Sequence, residues 1–525
     1  MSDPDHIVVG AGINGLVCAS LLALKGRRVL VLDRNARIGG CIRTEEATVP
    51  GFVHDVFATT FVLFTLSPAF KVLGPELEKR VLAFANSDAP TGVLLPDGRH
   101  AILGRDRAAN IAMLDALGPG DGASFDAQMR LLGENAPFLF SMLGGSLWSR
   151  QMAGILAREA WRRGPRGLAA FFGAALESAR AHLESRFSSE VSRALLAPWV
   201  LHVGLGPESA YSGQMIKVIA FSLEAAGAPI VKGGAKNILD AFARLIGDHG
   251  GAIRESSEVA RILVENGRAA GVRLVDGTEL RASKGVIASV TPHQLYERLL
   301  DPEHVPETVR EGLKDYRYGK GNMQIHYALD RPPVWKDGAE LGTVALLHLT
   351  PGLDGVSRAV NEAERGLLPA EPTICVGQPT ALDPSRAPDG KAILWLQLPE
   401  APRTVRGDAA GEIEAPADGS WTAAVREAYA DRIEARLARH IEGFRESVLG
   451  RRVYSPADLE AANPNLVGGD PYGGSCALDQ FFLWRPLKGS VNHKTCIPGL
   501  HHIGASTHPG PGLGGGSGYL VASSL

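Results

Sequence analysis

Cysteine is scarce in this 525-residue chain and never closely paired. Cys18, Cys41, Cys375, Cys476 and Cys496 form no Cys-x-x-Cys, which excludes a redox-disulfide mechanism and the usual zinc patterns, so no metal is expected. An odd, scattered set suits a reducing compartment. A charge excess is missing too. With 54 basic against 57 acidic residues, there is no electrostatic footprint for nucleic acid. The longest apolar run, residues 56–66, is too short to span a bilayer. No secretory leader precedes the first strand-like segment. The expectation is a cytoplasmic protein, with peripheral membrane association left open.

Glycine, by contrast, is abundant at 62 residues and gathers near both chain ends. His6-Ile-Val-Val-Gly10 reads as a strand and runs into Gly10-Ala-Gly12-Ile-Asn14-Gly15. Residues 16–25 have helical composition, with Gly26 placed to stop them, and residues 28–32 form a second strand closed by Asp33. Strand, Gly-rich turn, helix, strand and acid in this order make a dinucleotide-binding βαβ unit. Gly10 permits the tight turn, Gly12 lets backbone approach a pyrophosphate, and Gly15 lets helix and strand pack closely. The helix N-terminus offers free N–H groups to phosphate. Asp33 accepts from ribose hydroxyls and disfavours a 2′-phosphate.

Arg34, then Gly39-Gly40 and Arg43, extend the glycine-rich surface beyond the second strand. That suits a cofactor longer than NAD. Here the chain resembles the phytoene desaturase-like flavoproteins (carotenoid desaturases and ketolases, retinol saturase and their relatives) and, more distantly, the amine oxidases. The resemblance covers essentially the whole chain. It implies FAD as cofactor, with Val259 passing its backbone against the adenine. It also implies that Pro229-Ile-Val-Lys-Gly233-Gly234 returns the chain to the FAD domain.

Between the ends, residues 92–105 read as a hairpin around Pro96-Asp-Gly98. Residues 107–193 read as helical, broken at Gly118-Pro119 and Gly164-Pro165. Residues 147–163 mix Trp148, Met152 and Trp161 with arginines. A lid or membrane-surface helix would look like this, but Arg162 falls on the apolar side, which favours an ordinary substrate-domain helix. Strands are expected at 323–329, 344–349 and 393–398. A helix is expected at 421–441, with Ser420 as N-cap and Val425, Tyr429, Ile433 and Leu437 on one face. His54 and Asp55 are strand neighbours and so point apart. Cys41 and His202 read as packed residues, whereas His326 could face either the core or the substrate.

The C-terminal stretch is the second strong signal. Residues 463–470 and Leu483-Trp-Arg-Pro486 resemble the carotenoid-ketolase branch. A strand at 501–503 delivers Gly504, Ala505 and Ser506 to the flavin pyrophosphate and ribityl. A Gly-rich turn through Gly514 and Gly515 then opens a last helix toward the isoalloxazine. His508, on that turn, is the candidate base; a histidine that only ties the turn together is the other reading.

The expected fold is α/β: a Rossmann-like FAD-binding domain of glutathione-reductase and amine-oxidase type (1–85, 228–295, 466–525) and a discontinuous α+β substrate domain (86–227, 296–465). By resemblance, the expected activity is FAD-dependent dehydrogenation of a lipophilic, isoprenoid-like molecule by hydride transfer to flavin N5. No second dinucleotide fingerprint is present, so oxygen or a quinone is the expected electron acceptor. An amine or other polar-substrate oxidase, and a non-catalytic flavoprotein acting as an assembly partner, are the alternatives.

Overall fold

The opening pattern folds locally. Strand β1 (His6–Val9) and strand β2 (Val29–Leu32) are fully buried and pair in parallel, with helix α1 (Ile13–Leu24) crossing between them. The computed structural model describes residues 3–525. Strand β3 (Ala252–Arg254), strand β4 (Gly285–Ser289) and the last strand (Leu500–Ile503) complete a five-stranded sheet in the order last strand, β4, β1, β2, β3. Every pairing is parallel, so both faces need covering. α1 and the helix Lys236–Asp248 cover one with Leu16, Leu22, Phe242 and Ile246. Ile262 and Val272 of an antiparallel meander cover the other. The last helix, Gly516–Ser524, lies directly on α1: a side chain at Gly518 would overlap the Asn14 carbonyl oxygen.

The second sheet has seven strands. Strands β5 (Gly321–Leu329), β6 (Leu346–Leu349), β7 (Ile374–Gly377), β8 (Ala392–Ala401) and β9 (Val448–Tyr454) join the hairpin Thr91–Leu94/His100–Leu103. Their order is β9, β5, β8, β7, β6, hairpin. One face packs on the helix Ala423–His440 through Val425, Tyr429, Ile433 and Leu437, all buried as their four-residue spacing predicts. The cap differs from expectation: Thr422, not Ser420, accepts from the Val425 N–H at 3.2 Å. The opposite face looks toward the first sheet.

The helical region breaks where glycine and proline predicted, at Gly118, but continues through Gly164 as a kink at φ 68°. Among its residues the helix Arg150–Ala175 buries only Met152, and Trp161 is 92% exposed. No described helix is long and apolar enough to cross a membrane.

One buried cation ties the two halves together. Arg386 is fully buried and donates to Asp383 at 3.0 Å, to Asp55 at 3.0 Å and to the Val231 carbonyl at 2.6 Å. Asp55 also accepts from Thr44 Oγ1 and the Ala235 N–H. His54 points the other way, to Thr48. Asp55 is thus a structural anion, and burial, reinforced by nearby His326 and Arg386, lowers His54 to about 2.

Candidate functional site

A cavity of about 330 Å3 lies between the two sheets, at the carboxyl ends of β1, β2 and β4. Parallel sheets place ligands there because neighbouring strand connections leave on opposite faces. Gly10, Gly12, Asn14, Asp33, Arg34, Gly39, Gly40, Val259, Gly504, Ala505 and Ser506 all line it, as their positions in the sequence suggested.

The glycines divide into two kinds. Gly10 sits at φ +94°, and a Cβ there would lie 2.9 Å from the Ser289 carbonyl oxygen; one on Gly15 would overlap the Gly10 carbonyl oxygen. These two are required by packing. Gly12 has nothing within 4 Å of a would-be Cβ, so its bare backbone faces open cavity at the helix N-terminus, the geometry of a phosphate cradle. Gly39 locks onto the same turn, its N–H donating to the Ala11 carbonyl at 3.0 Å. Asp33 closes β2 with its carboxylate aimed by the N–H groups of Ala11 (2.8 Å) and Asn35 (2.9 Å). Burial raises its pKa, against those two donors. The remaining carboxylate lone pairs suit a ribose diol.

At the far end, Ser517 of the last helix accepts from the Gly504 N–H at 2.9 Å and donates to Asn14 Oδ1 at 2.8 Å. The two Gly-rich termini therefore meet over one ligand site. The wall between them is built by Asp470, whose fully buried carboxylate accepts from the N–H groups of Gly319, Tyr472 and Gly474 at 2.7–2.8 Å. That fixes the turn that brings Pro471, Tyr472 and Gly473 to the cavity.

The lining runs from the Asp33 carboxylate past Gly12 to Gly504, and it suits a cofactor that carries adenosine and a pyrophosphate. The chain belongs to the flavin-containing amine oxidoreductase family. The match runs over residues 13–431. The protein is an FAD-dependent oxidoreductase of that family, and bound FAD supplies a two-electron acceptor. The chain is 29% identical to the mouse (Mus musculus) pyridine nucleotide-disulfide oxidoreductase domain-containing protein 2, with 99% of this chain and 92% of that one covered. It is 27% identical to a neurosporene-forming phytoene desaturase of Rhodobacter capsulatus, covering 99% and 93%. Among solved structures, cyclohexylamine oxidase from Brevibacterium oxydans superimposes with TM-score 0.59 at 17% identity over 100% and 98% of the chains. That likeness shows the fold.

Several expected site residues of this oxidoreductase lie elsewhere. His508 does not line the cavity: its Nε2 donates to the Gly145 carbonyl at 2.9 Å, and burial holds it at about 3. The turn aims its ring at the helical region instead of the ligand. Arg43 turns to Glu45 and lies over the ring of Phe57. Gly514 and Gly515 stand behind the wall, which Gly512 and Leu513 form. Gly515, at φ +66°, lies where a Cβ would come within 2.6 Å of Val17, so it serves the packing of the last helix. His326 faces inward and donates to the Val56 carbonyl at 3.0 Å.

Two residues read as packed are in the lining: Cys41 and His202. Gln397 and the loop Asn463–Leu466 were not singled out as ligand-facing, yet they line it too. The loop's Asn-Pro-Asn was visible as a family-like segment. Gln397 carried only the alternation of its strand.

Proposed function

We propose that this oxidoreductase dehydrogenates a neutral, lipophilic, isoprenoid-like molecule, with oxygen or a quinone reoxidising the flavin. The observation that carries this reading is the make-up of the cavity end away from Asp33. Ala58, Leu466 and Leu513 supply apolar wall; Gln397, Tyr472 and His202 supply the polar atoms. All three polar side chains are neutral at pH 7, since burial lowers His202 to about 4 and pushes the Tyr472 phenol up. The lining carboxylates, Asp33 and Glu258, stand at the adenosine end, where Glu258 lies 4.0 Å from Arg34. A cationic amine would therefore enter this end with no counter-charge, at a large desolvation cost. Among the described lining residues Tyr472 is the one Phe, Tyr or Trp, so no aromatic cage awaits an amine. Similarity to the Rhodobacter capsulatus phytoene desaturase points the same way.

The chain's own part is to orient and desolvate. The Asp470-braced turn fixes Tyr472, whose hydroxyl donates to the Leu201 carbonyl, and the apolar wall excludes water from the reacting carbon. The test is anaerobic reduction of the holoenzyme by isoprenoids, fatty acyl compounds and small amines, followed as loss of flavin absorbance. Bleaching by an apolar compound is expected. Bleaching by small amines alone moves the assignment to amine oxidation.

A further inference from the structure

One rung of the seven-stranded sheet carries four polar side chains, of which Gln397 lines the cavity. His348 on β6 pairs with Cys375 on β7, Cys375 with Gln397 on β8, and Gln397 with Gln324 on β5. Directly paired residues share a face, so four strands present an imidazole, a thiol and two amides together. Gln397 Nε2 donates to Asn322 Oδ1 at 2.6 Å. Beside it, Gln324 Oε1 is buried without a partner; neither Gln324 nor Asn322 lines the cavity.

His202 reaches this rung from the 3₁₀ segment Ala197–Val203. Its Nε2 lies 2.9 Å from His348 Nε2, and Trp199 packs on both rings at 4.6 and 5.0 Å. Two imidazole nitrogens that close must share one proton: two lone pairs repel and two N–H groups clash. The two nitrogens and Cys375 Sγ all lie within 4.8 Å of one another, which raises the question of a metal. Tetrahedral ligand nitrogens at about 2.0–2.1 Å from zinc would stand roughly 3.3 Å apart. The observed 2.9 Å fits a hydrogen bond better. Burial also pushes the Cys375 thiol up, away from the thiolate that a metal would take.

With Nε2 engaged by His348, Nδ1 is the nitrogen His202 has left for the cavity it lines. Gln397 and His202 both line the cavity, and a hydrocarbon would leave their polar atoms there unsatisfied, so an oxygen-bearing ligand suits this end. We propose that His202 is the proton acceptor of the reaction, held by His348 as its positioning residue, and that the substrate is a lipophilic alcohol oxidised to a carbonyl compound. This rests on the dehydrogenase reading above. The carbinol C–H breaks with its electron pair leaving as hydride to the flavin, which is reduced by two electrons. The O–H breaks with its proton passing to His202 Nδ1, and the carbon–oxygen π bond forms.

The groups facing His202 are His348 and Cys375 from the sheet, and Tyr472 and Cys476, which pack on neighbouring Gly204. All four are neutral at pH 7, since burial lowers His348 and raises the other three. His202 therefore stays an acceptor down to about pH 4, and alcohol oxidation should hold its rate well below pH 6.5.

The experiment compares farnesol, farnesene and farnesylamine as anaerobic reductants of the holoenzyme, wild type and His202→Gln and His348→Gln. Farnesol is expected to reduce the wild type. His202→Gln should lower that rate about 100-fold or more, keep its FAD and its farnesol affinity, and lose the solvent deuterium isotope effect. His348→Gln should lower the rate less and bring an inflection in the pH profile near ordinary histidine values. In wild-type holoenzyme, 15N-histidine spectra should show one strongly hydrogen-bonded Nε2 pair, a readout that needs no turnover. Reduction by farnesene with His202→Gln unaffected overturns this inference and leaves the dehydrogenase reading standing. Reduction by farnesylamine alone, or by none of the three, overturns both. One zinc or copper per chain that disappears in His202→Gln overturns the proton-acceptor assignment.

Discussion

Arg386→Met removes the buried clamp between the two halves while keeping an unbranched stem in its place. Asp55 and Asp383, 2% and 6% exposed, would then share a buried region with no counter-ion. Stripping one partner from a buried ion pair costs about 3–5 kcal/mol. Asp55 keeps Thr44 Oγ1 and the Ala235 N–H, and Asp383 keeps the Gly233 N–H and Ser385 Oγ, so the lower figure applies. An unfolding entropy of roughly 2 cal/mol/K per residue makes that a fall in Tm of about 3 °C for a chain of this size. Replacing Asp55 by Asn in the Arg386→Met background removes one stranded charge and should recover part of the loss. The assay is thermal and urea unfolding of FAD-saturated protein, single and double variants side by side. A single variant within 1 kcal/mol of wild type, or a double variant less stable than the single, would show that the clamp is energetically idle.

Other perturbations separate ligand contact from packing. Gly12→Val should leave apoprotein unfolding nearly unchanged, since nothing lies within 4 Å of the new Cβ, while FAD recovered with the purified protein falls at least tenfold; retained FAD would place the phosphates elsewhere. Gly15→Val should instead destabilise the apoprotein itself, because the side chain meets the Gly10 carbonyl oxygen; an unchanged urea midpoint would refute the packing argument. Stability should also fall with acidity. Burial lowers His326 and His502 from 6.5 to about 4, so between those values the unfolded chain binds protons that the folded one refuses. Each contributes at most about 3 kcal/mol, fully present above pH 6.5 and lost as pH falls toward 4. A urea midpoint constant from pH 7.5 to 5 would contradict this.

What could be read from the residues alone follows the reach of each signal. The βαβ unit was legible because its glycines, helix and acid act within a few turns of chain. So were the strands around Met323–Leu329 and the buried stripe from Val425 to Leu437, which depend on local period. The His202–His348 contact was not: the residues are 146 apart, and only the register of β6 against β7 and the path of a 3₁₀ segment bring them together. Arg386 was invisible for the same reason, its partners lying at 55, 231 and 383. His508 misled because nearness in sequence to a ligand-binding strand does not fix where a ring points.

The bond between Ser517 and Asn14 spans 503 positions. Closing so long a loop costs about 5 kcal/mol in chain entropy. A nascent chain lacking its last strand carries β4 with one edge bare and the phosphate turn with no lid, a surface inviting wrong partners. A flavin that touches both ends acts as a clasp, favouring the closed ring over the open one by its own binding energy. Flavin supply would then govern how much of this protein survives quality control, and trimming of the terminal helix would release cofactor long before the substrate sheet unravels.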